Sequence, residues 1–271
     1  MSPLLTLETA LALRAAREAG RATLRCSLDL ERSTVDVDLH ADAWTCGSVG
    51  YPYPEQFKPR TIYYWDGAGF APVARFEGAL FKLVPTAWGA PTFEIDGIKM
   101  LPTAQVSPYA DAARKVALIQ PECKHVLDTC GGLGYFAAWC LSGGAEAVSS
   151  YEKNASVLWL RSLNPWSPQG EPRLTLTQAD IGTAITALAS ASIDAVLHDP
   201  PRFGIAGELY SQLFYDELAR VLRRRGRLFH YTGSPNKLTS GRDVPTEVSK
   251  RLQRAGFRTV LNGDGVLATK R

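Results

Sequence analysis

Metal-ligating and redox side chains are scarce in this 271-residue chain, which has four histidines, two methionines and five cysteines (Cys26, Cys46, Cys123, Cys130, Cys140). The cysteines are odd in number and form no C-x-x-C pair, which argues against a disulfide framework and against a zinc site, and leads us to expect no metal and a reducing cytoplasm. No apolar run approaches the roughly 20 residues that span a bilayer. The opening stretch MSPLLTLETALALRAAREAG sets Glu8 ahead of its arginines, the reverse of a secretory signal. Charge of one sign is not in large excess either, since the formal net charge of +3 is too small for field strength alone to mark a nucleic-acid binder. There is no internal repeat or low-complexity segment.

What is present is the composition of an ordinary globular protein, 45% hydrophobic and 21% charged. Up to Ala110 the charges sum to −2, and after it to +5. Leu4, Leu7, Leu11 and Ala15 stand at helical spacing and predict one amphipathic helix ending at Gly20. From Ala22 the period changes to two, and ATLRCSLDL and STVDVDLH read as an antiparallel hairpin. Short β-like runs (TIYYW, ALFKLV, TFEI, IKML) with glycine-containing turns continue to about Thr103. Residues 1–103 therefore read as a helix plus a mostly β accessory domain, and the aromatics of YPYPEQF and TIYYW offer either a lid or a homodimer contact.

After a helix over Tyr109 to Gln120, apolar strands alternate with amphipathic helices across residues 104–271. That pattern predicts a doubly wound α/β sheet, Rossmann-like, with strands at HVLDT, AVSSYE, LTLTQ, IDAVLHD and RLFHYT. Helices are expected near Phe136 to Leu141, Ala155 to Leu163, Thr183 to Ala189, Leu209 to Leu222 and Pro245 to Ala255. The chain ends in a β-hairpin turning at Asn262-Gly263-Asp264-Gly265.

The feature richest in chemistry is VLDTCGGLGY (Val126 to Tyr135), a buried strand that ends in Asp128 and opens a helix through Gly131, Gly132 and Gly134. Glycines suit a turn whose backbone a ligand must approach. The next strands end in Glu152, Asp180 and Asp199. Each carboxylate alone reads equally as a solvated loop charge or a helix cap, but in an open α/β sheet all four strand ends meet along one crevice.

These residues resemble the class I S-adenosylmethionine-dependent methyltransferases over Pro121 to Arg271, with Asp-Pro-Pro after the fourth strand as the most specific motif. The resemblance implies that S-adenosylmethionine binds, its methionine part held by Asp128, Gly131, Gly132 and Gly134. Glu152 would take the ribose and Asp180 the adenine, with Tyr135, Lys153, Ile181, Asp199 and Pro200 completing the cofactor set. Within that superfamily DGIKM, LNPWS, HDPPRFGIAGELYS and RLFHYTGSPNK are similar to a group of mostly archaeal predicted methyltransferases with spermidine-synthase-like character, and that closer match brings no substrate.

In amine methyltransferases the residue after Asp-Pro-Pro is an aromatic that stacks on a planar base. Here it is Arg202, with Phe203 or Tyr210 as substitutes. A cysteine-nucleophile mechanism is excluded because no cysteine follows Cys140. The cluster Arg220, Arg223, Arg224, Arg225 and Arg227 invites an RNA reading, yet cations at a helix end commonly complement the macrodipole. We therefore expect a small-molecule substrate, no nucleic acid and no membrane.

The sequence is also similar to azetidine-2-carboxylate synthases, in which the α-amine of S-adenosylmethionine attacks its own γ-carbon and methylthioadenosine leaves. That resemblance makes cyclisation the leading expectation and methyl transfer to a small amine the alternative. In either reaction Asp199 would orient or deprotonate the amine, with His198 as its partner and Arg202 pairing a carboxylate. Tyr109, Tyr135 and Tyr210 are candidates for a ring facing the sulfonium. The competing readings are a satisfied strand-end His198, an Arg202 bridged to Glu208, and tyrosines that simply pack.

Overall fold

The computed structural model describes residues 2–202, 204–233 and 243–271. The chain forms two compact units. The first takes in the chain as far as Tyr109 together with Trp159–Trp166, and the second comprises Ala110–Leu158 and Ser167–Arg271.

In the first unit Thr6 caps helix α1 (Leu7–Glu18) by accepting from the Thr9 amide. The cap moves the start of the helix past the sequence expectation. Leu4–Leu5 become a short strand, β1, instead. The buried face is therefore Ala10, Leu13 and Ala16 rather than Leu7, Leu11 and Ala15, and Leu11 is 53% exposed. This face covers a sheet built from β2 (Thr23–Cys26), β3 (Val35–Leu39), β4 (Ala43–Cys46) and β5 (Val49–Pro52), paired in sequence order. The predicted Ala22 hairpin is the β2–β3 pair.

Strands β6 (Tyr63–Trp65) and β7 (Phe70–Pro72) join β1, while β8 (Ala74–Phe76), β9 (Leu80–Val84), β10 (Thr92–Ile95) and β11 (Ile98–Lys99) form a meander. Residues 159–166 belong here because the Trp166 indole donates to the Leu30 carbonyl at 2.9 Å and Arg32 donates to the Pro165 carbonyl.

The second unit centres on seven strands: β12 (His125–Asp128), β13 (Ala147–Glu152), β14 (Leu174–Gln178), β15 (Ile193–His198), β16 (Leu222–Tyr231), β17 (Phe257–Asn262) and β18 (Gly265–Lys270). Their order is β14-β13-β12-β15-β16-β18-β17. The first five are parallel, and β18 runs antiparallel between β16 and β17. This is the expected Rossmann-like sheet with its appended hairpin, and its strand order reverses between β12 and β15, where ligands bind in such sheets.

The helices are α2 (Pro108–Ile119), α3 (Tyr135–Ser142), α4 (Ala155–Leu163), α5 (Ile181–Ala184), α6 (Gln212–Val221) and α7 (Val244–Arg254). Two boundaries differ from the sequence reading for local reasons. Asp180 caps α5 and starts it two residues early, and Ser211 caps α6 after a separate 3₁₀ turn at Gly207–Tyr210.

The arginine run is also relocated. It does not form a turn at a helix end, because β16 begins directly after α6 and absorbs the run as a bulge. Ile193 pairs with Leu222 but Ala195 pairs with Arg227, and Arg225 adopts φ +66°. Arg223 Nη1 donates to both carboxylate oxygens of Asp194 at 2.7 and 2.8 Å, and Arg220 donates to the Leu188 and Ile185 carbonyls. The run therefore lies at the amino-terminal end of the parallel strands, opposite the crevice.

Candidate active site

Strand β12 delivers Asp128 to the crevice at 1% exposure, where it accepts from the Ser150 hydroxyl of the neighbouring strand at 2.9 Å. The turn beyond it reaches α3 through Gly132 (φ +48°) and Gly134 (φ +81°), left-handed conformations that side chains disfavour. The Gly131 amide donates to the Tyr151 carbonyl and the Gly134 amide to the Gly131 carbonyl, each at 2.7 Å. Glu152 pins the same turn from the end of β13. Its Oε2 accepts from the Gly132 amide and its Oε1 from the Asn154 amide, both at 2.9 Å. Glu152 thereby ties the glycine turn to the start of α4 through one oxygen each.

Asp180 combines two roles. One oxygen caps α5 through the Gly182 amide, and the other pairs with Lys153 Nζ at 2.7 Å. The lysine hydrogen bond, outweighing partial burial, holds the Asp180 carboxyl below its usual value. Ile181 beside it is buried, and so is Tyr135 at the start of α3.

Asp199 and Pro200 follow β15. Asp199 Oδ2 accepts from Lys115 Nζ at 3.2 Å, while Oδ1 has no partner among the described residues. Lys115 is itself buried, 2.9 Å from Asp111 one turn earlier on α2 and 3.8 Å above the Tyr231 ring. Arg114 joins Asp111 at 2.9 Å to Asp264, in the tip of the β17–β18 hairpin, at 2.8 Å. Burial pushes the Asp199 carboxyl above its ordinary value; Lys115 pulls it back, and Asp111 and Asp264 add to the rise. Burial alone would lower Lys115, but Asp199 and Asp111 outweigh it and raise the ammonium.

The remaining sequence candidates are placed differently. His198 is fully buried, with Nδ1 2.7 Å from the Thr129 hydroxyl and Nε2 3.1 Å from the Leu209 carbonyl. Both ring nitrogens are thus occupied, so His198 tethers the core, and the partner that touches Asp199 is Lys115. Tyr210 is 2% exposed, and its hydroxyl donates to the Pro201 carbonyl at 3.1 Å, so this ring packs and holds the Asp-Pro-Pro loop. Arg202 is exposed and makes no ion pair, with Glu208 or otherwise, among the described residues. Tyr109 belongs to the first unit, edge-on to Trp166 with ring centroids 5.1 Å apart. Phe203 and the Ser234 to Lys237 part of the RLFHYTGSPNK run lie outside the described residues.

Sequence reasoning missed Asp111, Arg114 and Lys115. Their i, i+3, i+4 spacing was visible on α2, but such spacing ordinarily marks an exposed helix pair.

No family model matches the chain. Over 214 residues it is 40% identical to "Uncharacterized protein MJ1233" of Methanocaldococcus jannaschii, a match that covers 77% of this chain and 73% of that protein. Among solved structures, a spermidine synthase in complex with the transition state analogue AdoDATO superposes with a TM-score of 0.61 at 16% identity, over 80% of this chain and 84% of that one. Spermidine synthase from Thermotoga maritima gives 0.56 at 16% identity, over 80% of each chain. With the strand order, these likenesses establish the Rossmann-like methyltransferase fold.

Proposed function

This chain belongs to the same family as the Methanocaldococcus jannaschii protein, and on that premise we propose that it is an enzyme using S-adenosylmethionine in a substitution by a small aliphatic amine. The observation that carries this reading is a half-engaged carboxylate at the sheet's switch point. Asp199 has Oδ2 tied to Lys115 and, among the described residues, no partner on Oδ1, in the same crevice as the Asp128 to Gly134 turn.

The residues fit the cofactor: the positive-φ glycines allow close backbone approach, and Glu152 stands at the next strand end, beside the turn it holds. When bound, S-adenosylmethionine supplies a sulfonium whose attached carbons are open to nucleophilic attack. An amine must shed a proton to attack, and Asp199 Oδ1 is the acceptor. Burial makes it a stronger base than an ordinary carboxylate. Asp128 and Glu152 orient the two ends of the cofactor, and Asp180, held by Lys153, lies at the next strand end.

The leading form of the reaction is intramolecular, with the cofactor's own α-amine displacing at the γ-carbon to give azetidine-2-carboxylate and methylthioadenosine. Two observations support an aliphatic over a planar amine: Arg202 stands where a stacking ring would be, and Tyr210 is committed to Pro201. A small molecule is also favoured over RNA, because the arginine run lies at the far end of the strands and Arg220 and Arg223 are committed to internal partners.

Product analysis of the protein incubated with S-adenosylmethionine alone tests this. Equal amounts of methylthioadenosine and azetidine-2-carboxylate are expected. Formation of S-adenosylhomocysteine, and only after an external amine is added, would overturn cyclisation in favour of methyl transfer.

A further inference from the structure

Behind Asp199 runs a string of five charged side chains from three elements: Asp264 in the hairpin tip, Arg114, Asp111 and Lys115 on α2, and Asp199 after β15. Adjacent members alternate in sign and lie 2.8 to 3.2 Å apart. Lys115 is the most enclosed member, with 3% of its side chain exposed against 8% for Asp111. Its ammonium sits 3.8 Å from the centroid of the Tyr231 ring and 5.7 Å from that of Phe136.

A buried ammonium is costly to strand and stays where its partners fix it. Asp111 supplies that anchor from the same helix. Arg114, held by Asp264, keeps Asp111 from turning away. The string therefore ends with Lys115 presenting a donor to one oxygen of Asp199 only.

We propose that Lys115 is the positioning residue of this site, holding Asp199 ionised and fixing its Oδ2 so that Oδ1 faces the amine. The inference rests on the role assigned to Asp199 above, but its test does not depend on turnover. The groups that act on Asp199 are Lys115 and Asp111 from α2, Tyr231 from β16, Asp264 from the hairpin and Cys130 from the glycine turn, with Arg114 between Asp111 and Asp264. Of these only Lys115 donates to Asp199. Without it a half-buried carboxylate is left with two like charges, Asp111 and Asp264, as neighbours.

The experiment is a carboxyl-carbon NMR titration of protein labelled at aspartate Cγ, with the Asp199 resonance assigned through Asp199→Asn. In Lys115→Met the Asp199 midpoint should rise by about 1–3 pH units, the size of an opposite-charge contact. Lys115→Gln keeps two N–H donors for the two carboxylates and should shift it in the same direction, whereas Lys115→Arg should hold it near the wild-type value. General loosening of the site would instead lower the midpoint, because hydration relieves the burial that raises it. An unmoved or lowered midpoint in folded Lys115→Met or Lys115→Gln overturns the proposal. Absence of methylthioadenosine with a raised midpoint would sink the proposed reaction and leave this inference standing.

Discussion

The two oxygens of Asp199 have different environments, and the role of base proposed for it rests on that difference. Asp199→Asn keeps shape and the Lys115 contact but removes the proton acceptor. Turnover of S-adenosylmethionine should fall by roughly 10²–10⁴-fold, with the circular dichroism spectrum and melting temperature close to wild type. A variant that retained more than a tenth of the activity would remove Asp199 from the chemistry. Tyr210 acts more indirectly, by holding the Pro201 carbonyl. Tyr210→Phe should cost about 1 kcal/mol of stability in chemical denaturation, the size of one neutral hydrogen bond. At this scale the acids were legible because each closes a strand. Lys115 was not, because its partner Asp199 lies 84 residues away in sequence. His198 misled because a histidine beside an acid looks alike in sequence whether its ring faces the crevice or, as here, Thr129 and Leu209.

Among the elements, the terminal hairpin closes the sheet and anchors the charged string, and both depend on close approach at Gly265. A Cβ there would meet the His230 carbonyl at 2.5 Å and the Phe229 ring at 2.6 Å. The ring can shift but the carbonyl belongs to β16 and cannot. Gly265→Ala should therefore lose about 1–3 kcal/mol in denaturant titrations, as overpacking does, and should also weaken the Arg114–Asp264 pair. A variant as stable as wild type would show that the hairpin moves freely. Periodicity read β13, β14 and α4 correctly to the residue. It failed at α1, where a cap and a β pairing of Leu4 decided which face turns inward. It failed again at Arg223 to Gly226, where a bulge and not a turn takes up the extra residues.

For the whole molecule, the two buried imidazoles set the acid limit. His198 and His230 lie edge to face, ring centroids 4.4 Å apart. Burial pushes His230 down to about 4, while burial and then the neighbouring His230 push His198 well below its usual value. The unfolded chain takes up these protons near pH 6.5 and the folded chain does not, so stability is complete above about 6.5 and drains as pH falls toward 4. The loss at pH 4.5 should be on the order of 2–3 kcal/mol per histidine. Asp199, raised by burial, opposes it as one group against two. Unfolding free energies measured from pH 7.5 to 4.5 should show this slope, and His230→Gln should flatten it; a flat wild-type profile would refute it.

The sequence by itself determined the fold class, the strand-end acids and the glycine turn, because periodicity and backbone-conformation demands act over a few neighbouring residues. Only the tertiary structure decided which strand-end acid meets a lysine through one oxygen, which histidines are sealed into the core and which lysine stands behind Asp199. Burial and charge pairing at 3 Å depend on residues that the chain brings together from far apart.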